Sequence, residues 1–239
     1  MAQGDANFGR AGFRAIAPDW IGHGFSSKPN RREFAYTPEA FLQALEALTE
    51  ALGLSRFYLV AQGFLGSVGV QYALRHPEHI ERLVVINAPL TAQARLPWKL
   101  RQMGLPLLGE MITQDPLLVD RTLEGGGPYQ VDDADLDVYR RPFLTSSEAG
   151  RALMTMVRRL QLPQVTAEIE TGFQHWQVPT LLLWGLEDPW LPVKTAVTVA
   201  NQLSHGQITK LDQVGHYAQE DWPEKVAAAL DTFLRQQVV

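Results

Sequence analysis

The chain has 239 residues, 46% hydrophobic and 20% charged, and 21 Lys and Arg against 26 Asp and Glu leave a net charge of −5. This composition excludes a disordered chain, and the acidic balance argues against broad capture of nucleic acid or anionic lipid. Cysteine is absent, which excludes disulfides, thiolate nucleophiles and cysteine-ligated metals. No apolar run approaches the ~20 residues that span a bilayer, and residues 1–10 lack a basic-then-apolar leader pattern, so a cytoplasmic protein is expected.

Residues 13–17 (FRAIA) form a short apolar run that predicts a first strand, followed by a loop rich in Gly, Ser and Pro up to Asn30. Thr37, Pro38 and Glu39 read as N-cap, first helical residue and first-turn acid. Phe41, Leu45, Leu48 and Leu52 then recur at helical spacing until Gly53. A strand is expected over 56–61, a helix over 67–75 ended by Pro77, and a strand over 83–86. From 90 to about 177 the pattern turns helical, interrupted by Gly125, Gly126, Gly127 and Pro128. Strands over 180–184 and 207–211 follow, with helices over 193–203 and 223–234. Continuous apolar strands separated by helices predict an α/β fold: a mostly parallel, doubly wound sheet covered on both faces. The expected division is α/β core over 1–89, helical cap over 90–177 and the rest of the core over 178–239.

Ligands of open α/β sheets sit at the carboxyl ends of strands, so two post-strand loops carry chemical weight. In Trp184-Gly185-Leu186-Glu187-Asp188-Pro189, a turn aspartate bonding its own backbone is the bland alternative. In Val214-Gly215-His216-Tyr217, a lone histidine is more often a surface or cap residue than a catalyst. Together, a strand followed by Asp and then a strand followed by Gly-His are more specific, because Asp188 could orient the His216 ring and stabilise its imidazolium.

These loops, with Ala17-Pro18-Asp19-Trp20-Ile21-Gly22-His23-Gly24-Phe25-Ser26 and Leu59-Val60-Ala61-Gln62, resemble the α/β-hydrolase fold, in particular its haloalkane dehalogenase and epoxide hydrolase branch. The resemblance covers nearly the whole chain. It implies that the helical insertion is a cap excluding water from the site; residues 139–143 (YRRPF) resemble part of the dehalogenase cap. It also implies a nucleophile, Ser or Asp, at the turn after the strand ending at Gln62. Aligning Gln62 and Phe64 with the dehalogenase pattern puts that position at Gly63, which offers no attacking atom. By analogy Gln62, Phe64 and Trp20 would line the pocket.

Leu65 stands where the family prefers a small residue, so the elbow helix is expected to pack differently. Ser67, one helical turn past Gly63, is read as a packing residue, Ser26 and Ser27 as turn residues, and Asn87 as a loop polar group. The family opens with three more strands than this chain carries. Either Met1 is an internal start in a longer protein, which is the expectation, or the sheet has re-paired.

No metal or other cofactor is expected. His76 and His79 flank Pro77, which is expected to keep them from aligning on a zinc ion. Asp132, Asp133, Asp135 and Asp137 read as a solvated helix start, and the 125–127 glycines as a cap hinge lacking the Lys of a phosphate loop. Two functions stay open: hydrolysis of a small apolar substrate by water that His216 activates, without a covalent nucleophile, or a non-catalytic protein binding a ligand or partner in the same pocket.

Overall fold

A computed structural model describes residues 12–236. Helix α1 (Pro38–Ala51) leads into β1 (Phe57–Gln62), α2 (Gly63–Arg75), a 3₁₀ turn (Pro77–His79) and β2 (Ile80–Ile86). Six helices follow: α3 (Trp98–Gln102), α4 (Leu108–Thr113), α5 (Leu118–Glu124), α6 (Asp133–Thr145), α7 (Ser147–Arg159) and α8 (Leu162–Phe173). The chain then returns through β3 (Thr180–Gly185), α9 (Val193–Gln202), β4 (Gly206–Leu211), α10 (Ala218–Asp221) and α11 (Pro223–Leu234). The four described strands lie in the order β1-β2-β3-β4, all parallel.

Local chemistry explains the element ends. The Thr37 side chain accepts a hydrogen bond from the Ala40 amide and so satisfies one of the orphan donors of α1. Strand pleating explains the layers. Leu83 and Val85 of β2, with Leu182 and Trp184 of β3, face the larger core beneath α1, α2, α8 and α9. Their neighbours Val84, Ile86, Leu181 and Leu183 face a second core under α11. Burial on both faces is why these strands carry unbroken apolar runs.

Two expectations change. Residues 13–17 form no strand: apart from half-buried Phe13 they are exposed, and no described strand pairs with the outer edge of β1. An apolar run becomes a strand only where a ladder partner takes its N–H and C=O groups, and here none is adjacent. The second change concerns α2, which starts at Gly63 and not near 67, directly at the strand-to-helix turn. Its glycines mask the helical signal in the sequence. Gly66 and Gly69 instead permit close approach to β1, since a Cβ on them would lie 3.1 and 3.2 Å from Ala61. Leu65 is accommodated against the larger core.

Of the inserted helices, α8 is fastened to core helix α2, with Glu168 bonded to both Gln71 and Arg75. No described helix is long and apolar enough to cross a membrane.

Candidate active site

The parallel register brings four carboxyl ends together. Gln62 pairs with Ile86, Ile86 with Leu183, and Gly185 with Leu211, so the next residues of each strand converge on one rim of the sheet. Gly63, Asn87, Asp188 and His216 all arrive there.

His216 Nδ1 lies 2.9 Å from Asp188 Oδ2, and the side chains are 2% and 1% exposed. Three further donors hold the carboxylate: the Asn87 amide at 2.6 Å, and the backbone N–H groups of Trp190 at 2.7 Å and Leu191 at 3.1 Å. A carboxylate so surrounded only accepts, so the proton between the pair sits on Nδ1 and the Nε2 lone pair is free. Asn87 is fully buried, has φ +42°, and also accepts the Gly185 amide at 3.0 Å. It therefore splints the acid loop to the end of β3 and is more than the loop polar group expected from sequence. An Asn directly after a buried strand, in a residue type that tolerates positive φ, was the available signal.

Gly63 has φ +70° and follows Gln62 in extended conformation. A Cβ built on it meets a single atom within 4 Å, His216 Nε2 at 3.6 Å. Any side chain at position 63 would therefore point at the free imidazole nitrogen. Ser67 does not substitute; it is fully buried and donates to the Phe64 carbonyl at 2.6 Å, within its own helix.

Three rings enclose the imidazole: Trp190 with centroids 4.7 Å away, Tyr217 at 5.1 Å and Phe64 at 5.4 Å. Burial, followed by the charge of Asp188, pushes the Tyr217 phenol up and keeps it protonated. Gln62 donates to the His216 carbonyl at 2.9 Å, so it ties down the histidine loop. Trp20 packs edge-on against Phe41 at 5.7 Å.

The cap reaches the site through its glycines. The His216 amide donates to the Gly126 carbonyl at 2.6 Å, and a Cβ on Gly126 would fall 2.5 Å from the Tyr217 ring. Gly215 is equally confined, 2.4 Å from the Gly126 oxygen by the same construction. The glycine run thus packs backbone to backbone on the histidine loop. Asp221 braces that loop by accepting from the Gly215 amide at 2.5 Å, and burial raises its pKa.

Away from the rim, the expectation that Pro77 separates the two histidines does not hold. The His76 and His79 rings stack 5.4 Å apart with planes 10° from parallel. Pro77 opens a 3₁₀ turn, in which residues three apart eclipse.

A family model described as alpha/beta hydrolase fold matches residues 5–223. The chain belongs to the α/β-hydrolase fold family. This α/β hydrolase is 27% identical over 230 residues to a 2-hydroxymuconate semialdehyde hydrolase of Pseudomonas putida, covering 93% of this chain and 77% of that one. It is 24% identical over 226 residues to haloalkane dehalogenase 2 of Mycobacterium tuberculosis, covering 91% and 77%. Among solved structures, a haloalkane dehalogenase from Bradyrhizobium elkani superposes with TM-score 0.81 at 25% identity, covering 98% of this chain and 85% of that one. Within its family this α/β hydrolase is haloalkane dehalogenase-like.

Proposed function

We propose that this α/β hydrolase acts on a small apolar substrate held between the core (1–89 and 178–239) and the cap (90–177), without forming a covalent enzyme intermediate. The observation that carries the reading is the direction from Gly63 to His216 Nε2, along which a nucleophile would stand and only hydrogen is present. A water there would give a proton to Nε2 as its oxygen attacks the substrate's electrophilic carbon. The bond from that carbon to the leaving group would break with its electron pair going to the leaving group, which, where basic, would take the proton back from the imidazolium. Asp188, held by Asn87 and two backbone amides, would stabilise the imidazolium that forms. The first amides of α2 have no partner within the helix and point toward the same rim, where negative charge would build on the substrate. Phe64 and Trp190 supply an apolar wall.

One observation favours a second reading, a ligand-binding protein without turnover: the imidazole is 2% exposed and enclosed by three rings.

The test adds the missing group. Combined with His216→Ala, which removes the base that would hydrolyse the ester, Gly63→Asp should accumulate an alkyl ester at residue 63 when incubated with a haloalkane, detected by mass spectrometry. Wild type should form no adduct at any residue and release halide no faster than His216→Ala. A Cβ at the glycine stands in ordinary contact with His216 Nε2, at 3.6 Å, and the positive φ costs the variant about 1–2 kcal/mol of strain. An adduct on wild type, or no adduct on the Gly63→Asp/His216→Ala double variant while it remains folded, overturns the assignment of position 63. His216-dependent hydrolysis of an activated ester by wild type separates the enzyme from the binding protein.

A further inference from the structure

The turn between α2 and β2 gathers His76, Glu78 and His79, whose ligand atoms all lie within 4.8 Å of one another. The hydrogen bonds behind them set where the protons are. Thr49 Oγ1 donates to the Glu46 carbonyl at 2.9 Å, and a carbonyl only accepts. The Tyr72 hydroxyl, 3.2 Å from Thr49 Oγ1, must then donate to it. Its oxygen is left to accept from His79 Nδ1 at 2.9 Å. That relay fixes the proton of neutral His79 on Nδ1 and leaves Nε2 with a bare lone pair. His76 is fixed in the same sense, because Nε2 meets the Glu46 carboxylate at 2.8 Å and must donate, leaving Nδ1 bare.

Both bare nitrogens face one oxygen. Glu78 Oε1 is 3.7 Å from His76 Nδ1 and 3.8 Å from His79 Nε2, too far for hydrogen bonds and with no proton assigned to either gap. Three lone pairs therefore converge without a donor between them. A tetrahedral Zn²⁺ with bonds of about 2.0–2.1 Å holds its ligands about 3.3 Å apart, a contraction that half-exposed side chains can make. Each imidazole already has the outer hydrogen-bond partner typical of metal-bound histidine: a carboxylate behind His76 and a buried hydroxyl relay behind His79.

We propose that His76 Nδ1, Glu78 Oε1 and His79 Nε2 bind a divalent transition-metal ion of the zinc type, with water completing the shell. Imidazole and carboxylate donors select such an ion over calcium or magnesium. The site lies at the far end of α2 from Gly63, about 20 Å away at 1.5 Å per residue, so its effect is to brace α1, α2 and the entry to β2 and not to take part in hydrolysis.

Titration of the tag-free full chain with zinc chloride at neutral pH, by calorimetry and thermal melting, should give one saturable site and a raised Tm. His79→Ala and Glu78→Gln should both abolish saturation, while His175→Ala at an exposed position elsewhere should retain it. Tyr72→Phe, which breaks the relay and keeps the ligands, should weaken binding about 10–100-fold. Cobalt should give wild type the intense visible bands of a tetrahedral ion, absent in Glu78→Gln; this readout stands even if the histidine variant folds poorly. Absence of a saturable site in wild type, or equal affinity in wild type, His79→Ala and Glu78→Gln, overturns the proposal.

Discussion

At the residue scale, the proposed site turns on one position. Gly63 keeps the left-handed backbone of a sharp turn and aims at His216 Nε2, yet supplies no reactive atom. The pairing of Asp188 with His216 could be anticipated from their two loops, because a carboxylate and an imidazole after neighbouring strands are brought to the same rim. Asn87 could not be weighed so easily, since its importance lies in two bonds to residues about a hundred positions away. Asn87→Ala should lower stability by about 2–4 kcal/mol in urea unfolding. It strands the buried Gly185 amide, removes a donor from Asp188, and leaves a Cβ at positive φ without the polar side chain that tolerates it.

At the element scale, α1, β1, β3, β4 and α11 follow from caps, apolar runs and helical periodicity, and their bounds fall close to the expected ones, while β2 begins at Ile80, three residues before its expected start. The elements that depart are those whose form depends on neighbours: residues 13–17 lack a ladder partner, and α2 owes its early start to close packing on β1. The α2–α8 contact has a definite pH signature. Glu168 accepts from Arg75 and Gln71, and the Arg75 guanidinium, as the first cause, holds its carboxyl below the ordinary range. A carboxylate whose pKa is depressed by folding contributes stability above its unfolded pKa and loses it as pH falls through the folded one. Both partners are over a third exposed, so screening limits the pair: Glu168→Gln should cost about 0.5–1 kcal/mol at pH 7. Denaturation curves of the two proteins should converge progressively below about pH 4.5 and approach each other more closely at high salt.

At the scale of the whole molecule, the described residues cover the sheet on both faces over β2 and β3 but on one face only over β1. Tyr58 and Val60 are 37% and 44% exposed, and the outer edge of that strand has no described partner. An unpaired edge with apolar side chains is a template for association. Val60→Lys should therefore reduce concentration-dependent association in light scattering and leave the melting temperature within about 2 °C, because the residue buries little. The cap is joined to the core at its glycine run as well as through its connections to the strands, so movement of that run would disturb the His216 loop directly.

The amino-acid sequence by itself determined the layered α/β architecture, the order of most elements, the helical insertion and the aspartate and histidine loops. These rest on local rules: apolar runs for strands buried on both faces, helical periodicity, caps and turn residues. Only the tertiary structure decided that position 63 faces Nε2, that Asn87 splints the acid, that the cap glycines press on the histidine loop, and that His76 and His79 meet around Glu78. Those are relations between distant segments, set by strand register, by how closely backbones approach and by the direction of buried hydrogen bonds, none of which a local pattern records.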